Sequence, residues 1–289
     1  MLNKNIETFL GCDAEYQDAE IVFFGAPYDS TTSFRPGARF GSRAIRQESS
    51  GLELYSPYQD RDLADCAVFD SGDLELPFGD ATEPLRLICE RTETIISAGK
   101  RPFLLGGEHL VTLGAVEAVA KQFPDLHIIH FDAHADLRDD YLGVKLSHAC
   151  VMRRCWEIVG DGRIFQFGIR SGDRTEFEWS REGGHVHTQL FDFAGLENVL
   201  DSLGGAPVYL TVDLDVLDPS VFSGTGTPEA GGVSFVDLLS AVLNIMRKAN
   251  VVACDLTELA PNLDMSGVST ATACKLVREI LIAMSSIAK

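Results

Sequence analysis

Nowhere does the chain carry the run of about 18 apolar residues that a membrane-spanning helix needs. Its first residues, MLNKNIETFLGCDAEYQDAE, lack the apolar core of a signal peptide. A cytoplasmic protein without a membrane partner is therefore expected. Basic residues are scarce, 24 against 43 acidic ones, and the net charge of -19 repels nucleic acid and favours approach of cations. The seven cysteines (Cys12, Cys66, Cys89, Cys150, Cys155, Cys254, Cys274) are scattered and form no C-x-x-C pair. That pattern excludes a zinc knuckle or a thioredoxin-like site and reads as buried reduced thiols. No G-x-G-x-x-G follows the first strand-like run, which argues against dinucleotide binding. Linkers, low-complexity tracts and internal repeats are also missing.

What is present is a regular alternation. Short apolar runs occur at 20–26, 65–70, 101–107, 126–134, 163–169, 206–215 and 250–259. Amphipathic stretches separate them, at Ser42–Gly51, Thr82–Ala98, Leu110–Phe123, Ala149–Val159, Gly195–Leu203, Ser234–Lys248 and Ser269–Ser286. Near-continuous apolar strands alternating with helices signal a sheet covered on both faces. The expectation is one α/β domain over residues 1–289, a three-layer α/β/α unit with a mostly parallel central sheet. A fold of this length buries roughly three quarters of the surface its unfolded chain exposes, which is enough for a core of its own.

In such sheets the ligand crevice lies beyond the carboxyl ends of the strands. Four apolar runs end in polar groups there: GGEH (106–109), FDAHAD (131–136), TVDLD (211–215) and TEL (257–259). On an extended strand Asp132, His134 and Asp136 would share a face, as would Asp213 and Asp215. His109 follows a third strand behind Gly106 and Gly107. Taken singly, each piece has an ordinary structural explanation: a D-x-D cap, a histidine opening a helix, Asp136 as an N-cap. Together they converge four carboxylates and two imidazoles on one sheet edge. Unpaired, those carboxylates would repel one another at high cost. Two divalent cations would cancel the charge, and a carboxylate-rich set with few histidines suits manganese better than a thiolate-seeking metal. A pair of such ions can also lower the pKa of a bound water towards neutrality.

At these residues the sequence resembles the ureohydrolase family, which includes arginase, agmatinase and related amidinohydrolases. The similar segments are GAPYD (25–29), RPGARFGSRAIRQES (35–49), GGEH, FDAHAD, SHA (147–149), GIRS (168–171), VDLDVLDPS (212–220), GTGTPEAGG (224–232) and DLTELAP (255–261). They follow the family order along nearly the whole chain. The resemblance implies two Mn2+ per subunit. One is held by His109, Asp132, Asp136 and Asp213, the other by Asp132, His134, Asp213 and Asp215. It implies a hydroxide between the metals that attacks a guanidinium carbon, with Glu258 pairing to the guanidinium and Thr227 lining its pocket. Asp215 relays the proton to the leaving amine, and His148 exchanges protons with solvent. A homo-oligomer, trimeric or hexameric, is implied as well.

Within the family the 137–147 loop points to agmatine, giving putrescine and urea in polyamine biosynthesis. It lacks the asparagine pattern of arginases, and Asp139 and Asp140 offer negative charge to a substrate with a second positive end. Asp139 is the expected contact. Guanidinobutyrate and guanidinopropionate hydrolases share the metal core and stand as the alternative, and Arg138 is the residue that would favour them. A metallophosphatase is disfavoured because no G-N-H-type motif occurs. A single-zinc deacetylase-type site would not need this donor set. A binding protein that had lost catalysis should lack at least one of the six ligands, and all six are present.

Overall fold

The computed structural model describes residue 2 and residues 5–286. In chain order the strands are β1 (Ile21–Gly25), β2 (Tyr55–Ser56), β3 (Arg61–Asp62), β4 (Val68–Asp73), β5 (Arg101–Leu105), β6 (His127–Phe131), β7 (Ile164–Ile169), β8 (His187–Leu190), β9 (Pro207–Asp213) and β10 (Asn250–Thr257). The helices are α1 (Gly41–Glu48), α2 (Thr82–Ser97), α3 (Val111–Gln122), α4 (Val151–Val159), α5 (Arg174–Arg181), α6 (Leu196–Ser202), α7 (Phe235–Lys248) and α8 (Val268–Met284). Eight strands form one sheet in the order β4-β1-β5-β10-β9-β6-β7-β8, and all its pairings are parallel. β2 and β3 form a separate antiparallel ribbon.

The sheet divides the core in two, as period-two side-chain alternation requires. On β1, Ile21 and Phe23 belong to the half that contains Leu238 and Val242 of α7 and Val277 and Ile280 of α8. Val22 and Phe24 belong to the other half, with Ile88 of α2, Val116 of α3 and Met152 of α4. Both faces of the central strands are thus apolar, which is why they read as continuous runs rather than alternating ones. The expected three-layer arrangement is what the chain adopts. Among the described residues no helix is long and apolar enough to cross a membrane.

The connections place the site. β5 and β6 are joined through α3 but lie apart, with β10 and β9 between them. Loops leaving such separated strands splay apart and open a crevice at their carboxyl ends. The four adjacent strands β5, β10, β9 and β6 are the ones that carry the GGEH, TEL, TVDLD and FDAHAD segments.

Four elements differ from the sequence reading. The ribbon and β8 were not anticipated; β8 is the half-exposed sequence HTQL at the sheet edge, held by pairing to β7. α5 is short and polar, yet Asp173 and Glu176 form a reciprocal capping box at its start. The strand expected at 65–70 begins only at Val68, because Leu63–Asp65 is a 3-10 turn.

Candidate active site

β6 ends at Phe131, so Asp132, His134 and Asp136 occupy the loop beyond it rather than one face of a strand. Asp136 has φ of 53°, a left-handed conformation that breaks strand alternation. Convergence comes instead from the loop's own bonds. The amide of His134 donates to Asp132 Oδ1 (2.6 Å), and the Ala135 amide donates to the Ser171 carbonyl (3.0 Å). On β9 the carboxylate of Asp213 caps the turn that follows, accepting from the Asp215 amide (2.8 Å). Asp215 Oδ1 in turn accepts from the Ala133 amide (3.1 Å), tying the two loops together. Arg170 clamps the same turn by donating to the carbonyls of Asp215 (2.7 Å) and Glu229 (2.8 Å).

Gly107 allows the third approach. A Cβ there would lie 1.9 Å from the Tyr28 carbonyl oxygen, so no other residue fits without moving the backbone. Its carbonyl accepts from the Glu258 amide (2.9 Å), and the His109 amide donates to Glu258 Oε1 (2.7 Å). Glu258 is buried and has φ of 66°, strained for a non-glycine residue, and these bonds hold it there.

The side chains meet in two groups that share one carboxylate. His109 Nδ1 lies 3.0 Å from Asp132 Oδ2, 3.1 Å from Asp136 Oδ2 and 3.5 Å from Asp213 Oδ2. His134 Nδ1 lies 3.0 Å from Asp215 Oδ2 and 3.5 Å from Asp132 Oδ1. Asp132 therefore turns one oxygen to each group. All six residues expected as ligands are brought together.

Electrostatics mark this as a strained assembly of charge. Burial, then the Asp132 charge, pushes Asp136 up to about 7. Burial, then Asp215 and Asp132, pushes Asp213 well above the ordinary carboxylate range. Burial opposes charge on His109 and His134, but the surrounding carboxylates outweigh it and hold both imidazoles far above their usual value. Glu258 is raised as well, by burial and then by Glu108. Oxygen-rich ligation with two imidazoles and no thiolate fits hard or borderline divalent cations, and their charge would relieve the carboxylate repulsion.

Both groups open onto a cavity of about 300 Å³. Glu258 and Thr227 line it, with Thr227 Oγ1 3.5 Å from Asp215 Oδ2. His148 lines it too, at the turn that leads into α4. The imidazole of His148 lies 3.3 Å from Ser33 Oγ through Nε2, and its amide donates to Thr31 Oγ1 (3.1 Å). Thr31 is anchored by the buried Glu108, which accepts from its hydroxyl (2.8 Å) and amide (3.0 Å). Burial pulls the His148 imidazole down to about 4, so it is neutral at pH 7.

Asp139 is not brought to the cavity. Its side chain is mostly exposed and faces Arg154 Nη2 (2.9 Å) and Lys145 Nζ (3.9 Å). Asp140 accepts from the Gly143 amide (2.9 Å) within its own turn. Besides Glu258 and the two imidazole–carboxylate groups, the acidic residues lining the cavity are Asp173 and Glu176 at the start of α5, which sequence reasoning missed. Arg138 is beside them, ion-paired to Asp173 and 3.7 Å from Glu176, with its guanidinium 5.0 Å from the Tyr141 ring centroid. Also unassigned from sequence was His130, whose Nε2 is 2.8 Å from Asp132 Oδ2 and whose Nδ1 is 3.0 Å from Gln166 Nε2. The amide nitrogen can only donate, so His130 accepts at Nδ1 and gives its Nε2 proton to Asp132. It orients the shared carboxylate.

Comparison with known proteins agrees with this geometry. An agmatinase from Bacillus subtilis is 47% identical over 278 residues, 96% of either chain. A guanidinobutyrase from Pseudomonas aeruginosa is 32% identical, covering 96% of this chain and 90% of its own. The crystal structure of agmatine ureohydrolase of Thermoplasma volcanium superposes with a TM-score of 0.88 at 33% identity, over 97% of this chain and 94% of the other. The Arginase family profile matches residues 19–283, and the chain belongs to the arginase family.

Proposed function

We propose that this chain hydrolyses agmatine to putrescine and urea. The observation that carries the reading is a single cavity with two imidazole–carboxylate groups sharing Asp132 and with the buried carboxylate of Glu258 in its wall. The proposed ligands are His109, Asp132, Asp136 and Asp213 for one Mn2+, and Asp132, His134, Asp213 and Asp215 for the other. Bound there, two such ions supply the positive charge that makes water a nucleophile near neutral pH.

The chain's own groups do the rest. A guanidinium is planar and cationic, and Glu258 holds it by charge-assisted hydrogen bonds with its carbon facing the two groups. Thr227 borders that position. Asp215 takes a proton in the attack and passes it to the departing amine, and His148 exchanges protons with solvent at the cavity mouth. Asp173 and Glu176 together exceed Arg138 by one negative charge, which favours an ammonium tail over a carboxylate one. The net charge of -19 draws cationic substrates in the same direction.

Guanidinobutyrate is the second reading, because Arg138 lines the cavity and could receive a carboxylate if it left Asp173. We further propose that residues 1–289 act as one domain in a cytoplasmic homo-oligomer, a trimer or hexamer. The deciding assay is urea release by the manganese-loaded protein from agmatine, arginine, guanidinobutyrate and guanidinopropionate in parallel. Preference for agmatine is expected. Preference for a carboxylate-bearing substrate would overturn the charge argument at the mouth. No urea from any of the four, with metal bound, would overturn the reaction.

A further inference from the structure

Behind His109, on the side away from the cavity, the chain buries a carboxylate that the proposed reaction does not use. Asp255 on β10 is fully buried, and among the described residues no lysine or arginine forms an ion pair with it. Three hydroxyls satisfy it. Thr211 Oγ1 donates to Oδ1 (2.6 Å), while Tyr209 Oη (2.6 Å) and Thr112 Oγ1 (2.7 Å) donate to Oδ2. Strand register builds this cluster. Thr211 is the direct partner of Asp255 across β9 and β10, Tyr209 lies two residues earlier on the same face, and Thr112 is in the first turn of α3. Satisfying a buried carboxylate with three hydroxyls and no lysine or arginine is an unusual use of a core position, since burying a charge is costly.

Thr211 connects this cluster to the site, because its Oγ1 is also 2.9 Å from His109 Nε2. A hydroxyl has one proton. Thr211 spends that proton on the Asp255 carboxylate, so only a lone pair remains for His109. Nε2 must then carry the hydrogen, which leaves Nδ1 as the atom that can offer electrons to a cation. Nδ1 is the atom that faces Asp132, Asp136 and Asp213.

We propose that Asp255 and Thr211 are positioning residues that fix the tautomer and ring orientation of His109 and thereby set the affinity of one of the two metal centres. This inference rests on the two-metal reading above. Groups behind metal-bound histidines commonly alter metal affinity 10- to 100-fold when removed. Only the centre that includes His109 should respond, because neither Thr211 nor Asp255 hydrogen-bonds to His134.

The test is a titration of the metal-free full-length protein with Mn2+, reading free Mn2+ by electron paramagnetic resonance, for the wild type, T211V, T211S and T92V. Valine matches the shape of threonine without the hydroxyl, and serine keeps the hydroxyl. Thr92 is a buried control whose hydroxyl, among the described residues, bonds only to the Ile88 carbonyl in α2. Expected results are two Mn2+ on the wild type, one site weakened about 10- to 100-fold in T211V, and near wild-type affinities in T211S and T92V. Both affinities unchanged in T211V, equal weakening of both sites, or the same loss in T92V would overturn the inference. Fewer than two Mn2+ on the wild type would overturn the two-metal reading and the inference with it. A second measurement does not depend on any variant folding. In the zinc-loaded wild type, a long-range proton–nitrogen correlation spectrum should show His109 protonated at Nε2, and protonation at Nδ1 would overturn the proposal.

Discussion

Replacing Glu258 by glutamine separates binding chemistry from folding at one position. The amide oxygen of glutamine can still accept from the His109 amide, now 2.7 Å from Glu258 Oε1, so the strained backbone at φ 66° keeps its anchor. What is lost is the charge that holds a guanidinium. Truncating one partner of a buried, hydrogen-bonded charge pair costs about 2–5 kcal/mol. At 1.36 kcal/mol per factor of ten, kcat/KM should fall by roughly 30-fold to several thousand-fold. Metal content should not change, because Glu258 belongs to neither imidazole–carboxylate group. The same substitution should stabilise the metal-free protein. Burial, then Glu108, raises the Glu258 carboxyl above its ordinary value of 4.5. A raised acid leaves the folded state unpenalised below pH 4.5, and the penalty grows as pH rises towards the folded value. The E258Q melting temperature should therefore match wild type near pH 4 and exceed it at pH 7. Steady-state urea release, metal analysis after gel filtration and thermal melts at pH 4, 5.5 and 7 read all three effects. A kcat/KM within fivefold of wild type, or a stability difference independent of pH, would refute the reasoning.

Asp132 turns an oxygen to each group, so D132N should hold less than one Mn2+ per chain after gel filtration, whereas D136N should retain one; equal losses would remove the shared role of Asp132. In the metal-free protein the His148 ring should titrate near pH 4 by NMR, against an ordinary value of 6.5. Because the unfolded chain takes up that proton first as pH falls, His148 contributes stability above about pH 6.5 that is lost between 6.5 and about 4, and H148N should flatten that part of the profile. Arg46 is buried between Asp70 (2.8 Å) and Asp73, so R46M should lower stability by about 3–5 kcal/mol in urea titrations, while R86A, which breaks only exposed ion pairs, should leave the midpoint where it was. D139N should leave kcat/KM for agmatine within twofold in the urea assay, since its carboxylate faces Arg154 and Lys145 and not the cavity.

Legibility in the sequence followed burial. β1 and β9 are apolar on both faces and announce themselves as runs, whereas β8 is half-exposed and draws its order from β7 beside it. α5 gave a usable signal that went unread: aspartate at 173 and glutamate at 176 are the spacing of a capping box. The six proposed ligand positions were legible because each lies at or just beyond the carboxyl end of a strand, although the geometry behind them was partly misassigned. Asp132, His134 and Asp136 converge through a loop with a left-handed residue, not through strand alternation. Asp139 was misplaced for a different reason. Which acid meets the substrate tail depends on how the 137–147 loop packs against α5, and Arg138 finds Asp173 across 35 positions of sequence.

The layer behind the ligands was not legible at all, and strand register explains why. Asp255 supports His109 only because β10 pairs with β9 so that Asp255 is directly opposite Thr211. A slip of two residues would keep every side chain on its own face of the sheet and would leave Asp213 and Glu258 near the ends of their strands. It would, however, set Ala253 or Thr257 opposite Thr211. The Thr211 proton would then have no carboxylate to claim it, and the His109 tautomer would no longer be fixed from behind. Composition and motif spacing are the same in both registers. The proposed ligands can be found by where strands end, but their support depends on which strand neighbours which and in what alignment, and that information resides in the packed sheet.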